Sequence, residues 1–100
     1  MEMPNEDAKR DRKKTKERLA RETEQADYRW LMATAQGRRI VWRMLERAGV
    51  FRSSFSSDAM AMAFNEGNRN SGLALLATVN SLAPAEYIKM MQEAKNDTDD

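Results

Sequence analysis

The sequence predicts an all-α protein, a small helical domain of three to four helices with a long charged N-terminal helix or arm. Two observations predict this class. Apolar residues recur at spacings of three and four through most of the chain after Asp27, which is the period of an α-helix. Residues that suit helix ends, such as Thr34 and Gly49, stand where this pattern breaks. A chain of 100 residues has room for one small domain with a thin core.

The first segment, residues 1–26, is predicted to be a charged arm that is helical or disordered. Its stretch from 6 to 24 has only three apolar residues, Ala8, Leu19 and Ala20. It therefore cannot bury enough surface to fold by itself. Opposite charges four residues apart, such as Arg18 and Glu22, contribute about 0.2 to 0.5 kcal/mol each to a helix. We expect the arm to continue into a packed helical module over residues 27–95.

The module should begin with a short packed piece that contains Tyr28, Leu31 and Met32. Thr34 can cap the next helix, because its hydroxyl can accept from a free N–H of the first turn. Gly49 suits the end of that helix, since glycine enters the left-handed conformation without strain. The second helix is therefore predicted from about residue 35 to residue 48.

The third helix is predicted to start after Ser57 or Asp58 and to run through the segment NEGNRNSG, residues 65–72. One face with helical spacing carries Met60, Phe64, Gly67, Ser71, Leu75, Val79 and Leu82. A glycine inside a helix costs about 1 kcal/mol relative to alanine. We therefore interpret Gly67 and Gly72 as close-packing glycines, against another helix or an aromatic ring such as Trp42 or Phe51.

The end of the chain is predicted to form a fourth helix and a short tail. Pro84 suits the first position of a helix, where its missing N–H costs nothing. The apolar side of this helix is assigned to Tyr87, Ile88, Met91 and Ala94. Residues 96–100, which end in DTDD, are expected to be a disordered acidic tail.

Composition argues against an enzyme and against a cofactor or metal site. The chain contains no cysteine and no histidine, so it lacks thiolate nucleophiles, imidazole bases and the usual zinc ligands. The GNRNSG segment has the glycine spacing of a phosphate loop, but Leu73 and Ala74 stand where Lys and Ser or Thr are required.

No apolar run approaches the roughly 20 residues that span a bilayer. We expect no membrane anchor and synthesis in the cytoplasm.

The charge distribution is uneven although the net charge is only +1. The segment KRDRKKTKER, residues 9–18, combines seven basic with two acidic residues, and the second helix adds a stripe of arginines. Clustered Lys and Arg favour contact with polyanions. The predicted polyanion contacts are Lys9, Arg10, Arg12, Lys13, Lys14, Lys16, Arg18, Arg39 and Arg43.

A more specific interpretation of the arginine-rich second helix is that it belongs to a DNA-binding helix-turn-helix. Ala33 and Gly37 fit its pattern, but Arg43 stands where an aliphatic residue is needed. We therefore favour a solvated or partner-facing basic stripe.

Glu66 and Arg69 are three positions apart on the third helix, and we expect a structural polar bridge in which Arg69 reaches Glu46 on the second helix. The large aromatic residues are interpreted as core or interface anchors: Trp30, Trp42, Phe51, Phe55 and Phe64.

The central half of the chain resembles the small Bbp-like protein family of tailed bacteriophages. The resemblance covers about Asp27 to Leu76 and is carried by GRRIVWRMLERAGVFRSSF and AFNEGNRNSGLALL. Met32 departs from the family pattern, which has a leucine there. The matching residues include Gly37, Arg38, Arg39, Trp42, Gly49, Phe51, Phe55, Phe64, Glu66, Gly67, Arg69 and Gly72.

This resemblance implies a role in the phage but no catalytic activity. Members of the family are encoded among phage head and portal genes and have no catalytic residues to transfer. The leading hypothesis is a virion-associated protein in the head interior or near the portal vertex, with phage structural proteins and packaged DNA as partners. Self-association is expected because the core is thin. The alternatives are a cytoplasmic DNA- or RNA-binding accessory and a head-assembly or packaging accessory.

Overall fold

The computed structural model describes residues 5–99, and over this range it forms four helices without a strand. They are α1 (Glu6–Met32), α2 (Ala35–Ala48), α3 (Ala59–Leu82) and α4 (Pro84–Asp99). The predicted all-α class is confirmed. None of these helices is both long and apolar enough to cross a lipid bilayer.

Helix α1 is a single continuous helix of 27 residues. Asn5 caps its start by accepting a hydrogen bond from the N–H of Ala8 at 2.7 Å, and Glu6 and Asp7 complement the positive end of the helix dipole. The helix has no glycine or proline, so nothing interrupts it at the predicted boundary between residues 26 and 27. Beyond Ala8, burial begins only at Tyr28 and is complete at Met32.

The capping residues lie where the sequence predicts them. The N–H of Gly37 donates to Thr34 Oγ1 at 3.1 Å, which starts α2 at residue 35. Gly49 ends α2 with φ of 77°, a left-handed conformation that favours glycine. Asp58 starts α3 by accepting from the N–H of Met60 at 2.9 Å.

The core lies around α2, which packs against the other three helices. Its buried side chains come from every helix, from the connector between α2 and α3, and from the single residue between α3 and α4: Met32, Val41, Leu45, Val50, Val79, Ala83 and Met90. On α4 the buried residue is Met90, whereas Ile88 is exposed, so the predicted apolar side of that helix is partly wrong. The reason is that α4 turns the face with Met90 and Glu93 toward α2.

The two glycines of α3 differ in their surroundings. A Cβ atom at Gly72 would lie 2.5 Å from Val50 Cγ2 and 2.6 Å from Ala48 Cβ, so α2 and the connector approach the α3 backbone closely there. The neighbour is thus a helix end rather than an aromatic ring. At Gly67 a Cβ would meet nothing within 4 Å. Interpreting Gly67 as a close-packing glycine is therefore wrong.

The difference follows from the lengths of the two helices. Helix α3 has 24 residues and α2 has 14, which corresponds to about 36 and 21 Å at a rise of 1.5 Å per residue. Gly72 lies beside Ala48 at the end of α2, so the part of α3 that precedes Gly72 extends beyond that end. Over most of this segment, residues 59–71, the neighbouring part of the chain is the connector, as the hydrogen bond from the Ser54 hydroxyl to Glu66 shows.

Several predicted anchors consequently lie outside the core. Phe55 is 78% exposed and Phe64 69%, and Trp30 on α1 is 76% exposed. Phe51 stacks on Trp42 with ring centroids 4.8 Å apart, and it keeps part of its ring in solvent. A core role is therefore wrong for Trp30, Phe55 and Phe64, while an interface role stays a prediction.

The C-terminal end differs from the expected disordered tail. Helix α4 continues through Asp99, because no glycine or proline after Pro84 ends it. The last residue, Asp100, lies outside the described residues. The predicted tail is thus helical over residues 96–99.

Candidate functional site

The N-terminal part of α1, residues 6–27, forms a solvent-exposed charged arm, and its basic residues are concentrated between Lys9 and Arg18. At 1.5 Å per residue this arm is about 33 Å long. The chain measures 72 by 37 by 16 Å along its principal axes and has a radius of gyration of 19.4 Å, whereas a compact protein of this size has about 13 Å. The arm therefore projects from the helical module into solvent.

Four of the predicted polyanion contacts share one face of the arm. Lys9, Arg12, Lys13 and Lys16 stand at positions i, i+3, i+4 and i+7, which lie on the same side of a helix. All four are exposed, and none has an ion pair within the described residues. We call this set the basic face. Its four charges are free to meet an external anion.

The other basic residues of the arm have a different environment. Arg10 pairs with Asp7, and Arg18 lies 3.8 Å from Glu22. Lys14 lines a shallow surface depression together with Glu17 and Arg18. These side chains have nearby carboxylates, so their charge is partly balanced within α1.

The two predicted contacts on α2 lie in a groove with balanced charge. Arg39 and Arg43 line a groove of about 270 Å³ between α2 and α4, together with Trp42 and Met90. The same groove contains Arg38 and three acidic residues, Glu46, Glu93 and Asp97. Three positive and three negative side chains leave no net attraction for a polyanion. The structure does not bring Arg39 and Arg43 together with the basic face.

Arg38 and Glu93 form a bidentate ion pair at the inner side of this groove. Arg38 Nε donates to Glu93 Oε1 at 2.6 Å and Nη2 donates to Oε2 at 3.3 Å, while Nη1 donates to the Met32 carbonyl at 3.0 Å. The Arg38 side chain is 7% exposed and that of Glu93 35%. The hydrogen bond from Arg38 lowers the pKa of Glu93 below its usual value, although partial burial opposes this shift.

This ion pair is absent from the predicted site, but the sequence contains a signal for it. Arg38 precedes Val41 by three positions and Leu45 by seven, so it lies on the buried stripe of α2. An arginine on a buried stripe requires a partner. Glu93 follows the buried Met90 by three positions and supplies that partner from α4. The pair joins α1, α2 and α4 and has a structural role.

The predicted polar bridge from Arg69 to Glu46 is wrong. Glu46 lies in the groove between α2 and α4, whereas Arg69 lies beside Ala48 and Gly49 on the opposite side of α2. Glu66 accepts a hydrogen bond from the Ser54 hydroxyl and makes no ion pair with Arg69. Arg69 Nε is buried and has no hydrogen-bond partner in the described part of the chain. An unsatisfied buried donor of this kind costs about 1 to 3 kcal/mol.

Residues 5–99 contain no group of three or more carboxylate, imidazole or thiolate side chains that could hold a metal ion. The features that stand out are instead a projecting basic helix, an exposed apolar end of α3 and arginines on both sides of α2. They define a small all-α protein whose available contacts are those of charge and shape.

Comparison with known families agrees with this description. The family model described as Bbp19-like phage protein matches residues 28–92, well over half of the chain. The protein belongs to this phage protein family, as the sequence resemblance indicates. The match begins where α1 starts to pack, so the basic arm lies outside it. No curated protein and no solved structure matches the chain.

Proposed function

We propose that this protein is a non-enzymatic, virion-associated phage protein, located in the head interior or near the portal vertex. Its helical module docks on phage structural proteins, and its arm contacts packaged DNA. The observation that carries the proposal is the basic face of the arm, which has four unpaired charges on an exposed helix beyond the packed module. Membership of a phage protein family supports a role in the phage.

Contact between the arm and DNA would be made through the phosphate backbone. Lys and Arg neutralise phosphates and release condensed counterions, which gives affinity without reading the sequence of bases. The basic face spans seven positions, or about 10 Å along the helix. Duplex DNA carries one charge per about 1.7 Å of its axis, so all four side chains can find phosphates.

Docking of the module would use exposed apolar side chains of the connector and of the first turns of α3. Phe55, Met60 and Phe64 are each more than two-thirds exposed, and we call this set the apolar face. Large apolar side chains at interface centres supply most of the binding energy. We propose a phage structural protein as the occupant, with self-association of the chain as a further use of the same face.

The location is tested by quantitative mass spectrometry of gradient-purified particles. We expect the protein at a fixed copy number in DNA-filled heads. A variant with Phe55→Ser, Met60→Ser and Phe64→Ser should fold but be lost from particles, whereas Ile40→Ser and Ile88→Ser, also at exposed positions, should leave incorporation unchanged. Absence of the wild-type protein from both filled heads and empty proheads would overturn the virion role and favour a cytoplasmic nucleic-acid or assembly role.

The role of the arm is tested by the salt dependence of DNA binding. Replacing Lys9, Arg12, Lys13 and Lys16 by glutamine preserves helix propensity. It should reduce the slope of log affinity against log salt by about 3 to 4, since each phosphate contact contributes about 0.9. The matched control replaces Arg39, Arg43, Lys89 and Lys95, which removes the same charge from the module. An equal slope for the two variants would refute a DNA contact through the basic face.

A further inference from the structure

A second basic site lies away from the arm, where the end of α2, the connector and the middle of α3 meet. It is a pocket of about 160 Å³. Arg47 comes from α2, Arg52 from the connector and Arg69 from α3, so three elements each supply one guanidinium. Ser53, Asn65 and Asn68 add polar groups, and no acidic residue is among those that line it.

Arg69 supplies the observation that points to a ligand. Its Nε atom is buried and has no hydrogen-bond partner in the described chain. Buried donors in proteins are nearly always satisfied, by protein groups, water or a ligand. The nearest acidic residue along α3, Glu66, already accepts from the hydroxyl of Ser54. Arg69 thus lines the pocket with a guanidinium that forms no ion pair with a carboxylate of residues 5–99.

Arg52 is held at the other side of the pocket by the backbone. Its Nη2 donates to the main-chain carbonyl of Glu46 at 3.2 Å. The guanidinium lies over Gly49, where a Cβ atom would be 3.6 Å from Nη2. This single bond fixes the direction of the side chain and leaves its other N–H groups available. Arg52 is therefore positioned in advance for an anion.

We propose that this pocket binds a phosphate group. Donors that come from three elements approach from different directions, which suits the tetrahedral oxygens of phosphate better than the two coplanar oxygens of a carboxylate. The net charge of the lining is that of three arginines, and a phosphate dianion neutralises most of it. The site is separate from the basic face, and it does not depend on the proposed role of the arm.

The phosphate can come from two sources, free inorganic phosphate or a phosphodiester of nucleic acid. Both present negatively charged oxygens on one phosphorus atom. A phosphodiester must also reach the pocket while it remains attached to its chain. Titrating the same protein with inorganic phosphate and with a duplex oligonucleotide therefore identifies the source, since both ligands would bind to the same arginines.

The experiment is an NMR titration of the full chain that follows the arginine Nε–H signals. Inorganic phosphate is added at constant ionic strength, with chloride as the compensating ion. We expect the Arg69 signal to shift in a saturable manner while that of Arg39 does not. Arg69→Lys, which keeps the charge but removes the Nε–H, should weaken phosphate binding at least tenfold. The Arg39→Gln, Arg43→Gln double variant should bind as the wild type does.

A second variant guards against loss of the fold. Arg47 and Arg52 are exposed, so their joint replacement by glutamine leaves the core intact and should also weaken binding at least tenfold. A duplex oligonucleotide that shifts the Arg69 signal in the variant lacking the basic face would identify the phosphodiester as the source. A response to phosphate alone would identify the free ion. Non-saturable shifts, or equal binding by all variants, would overturn the proposal.

Discussion

Replacing the two glycines of α3 by alanine should change stability in opposite directions. In an exposed helix alanine is favoured over glycine by about 0.8 to 1 kcal/mol. Gly67 has open space at the position of a Cβ atom, so Gly67→Ala should stabilise the protein by about this amount. No rearrangement is needed there, and the gain comes from the lower backbone entropy of the unfolded chain.

Gly72→Ala has the same gain but also a steric cost. Its Cβ would lie 2.5 Å from Val50 Cγ2 and 2.6 Å from Ala48 Cβ, while carbon atoms in contact prefer about 3.5 to 4.0 Å. The Cβ of Ala48 has no rotamer by which to move away, so the α2 backbone must shift. Overpacking of this kind costs about 1 to 3 kcal/mol. With two overlaps of about 1 Å, we expect the upper end of that range and a net loss near 2 kcal/mol.

The assay is urea unfolding of both variants, followed by far-ultraviolet circular dichroism at one pH and salt concentration. The two free energies of unfolding should differ by about 3 kcal/mol, with equal denaturant slopes because the surface exposed on unfolding is similar. A Gly72→Ala variant as stable as Gly67→Ala would refute the close approach of α2 to α3. A destabilised Gly67→Ala variant would contradict the open space found at that position.

Three further predictions concern the ion pair and the end of α2. Glu93→Gln should lower the free energy of unfolding by about 2 kcal/mol. Breaking a fully buried ion pair costs about 3 to 5 kcal/mol, and the loss is smaller here because the Glu93 side chain is 35% exposed. The control Asp97→Asn should change the free energy of unfolding by no more than about 0.5 kcal/mol. Because the pKa of Glu93 is lowered in the folded state, the stability difference between the wild type and Glu93→Gln should be constant at pH values above the ordinary pKa of glutamate. It should shrink as the pH falls through the folded-state pKa of Glu93. A stability difference that stays the same down to the pH of acid unfolding would contradict the ion pair. Gly49→Ala places a Cβ at φ of 77° and should cost about 1 to 2 kcal/mol in thermal or urea unfolding.

Local features of this fold could be predicted well from the sequence. Thr34 and Gly49 bound α2 because capping depends on the residue itself and on hydrogen bonds within one turn. The continuous course of α3 through NEGNRNSG likewise follows from helical period alone. Such signals need no knowledge of what packs against the helix.

Features that depend on distant contacts could be predicted only in part. The helical pattern of α3 indicates an apolar face but not how far α2 extends along it, so the sequence predicts a close neighbour at Gly67 that the structure does not place there, and it leaves open whether Phe64 is buried. The partner of Arg38 is 55 residues away, and no local pattern names it. The predicted bridge from Arg69 to Glu46 fails for the same reason, because Glu46 lines the groove toward α4 whereas Arg69 lies on the other side of α2.

The unbroken course of α1 fixes both the distance and the direction of its charges relative to the packed helices. The basic face lies between Lys9 and Lys16, about 18 to 28 Å along the axis from Tyr28. This exceeds the Debye length of about 8 Å, so substitutions at one end leave the electrostatics of the other unchanged. The number of residues between the basic face and the packed helices matters more, because it sets the direction in which the face points. Deleting one residue of the segment 17–27 would rotate the face by about 100°, whereas deleting seven consecutive residues of that segment would restore its angle to within about 20° and shorten the reach by about 10 Å.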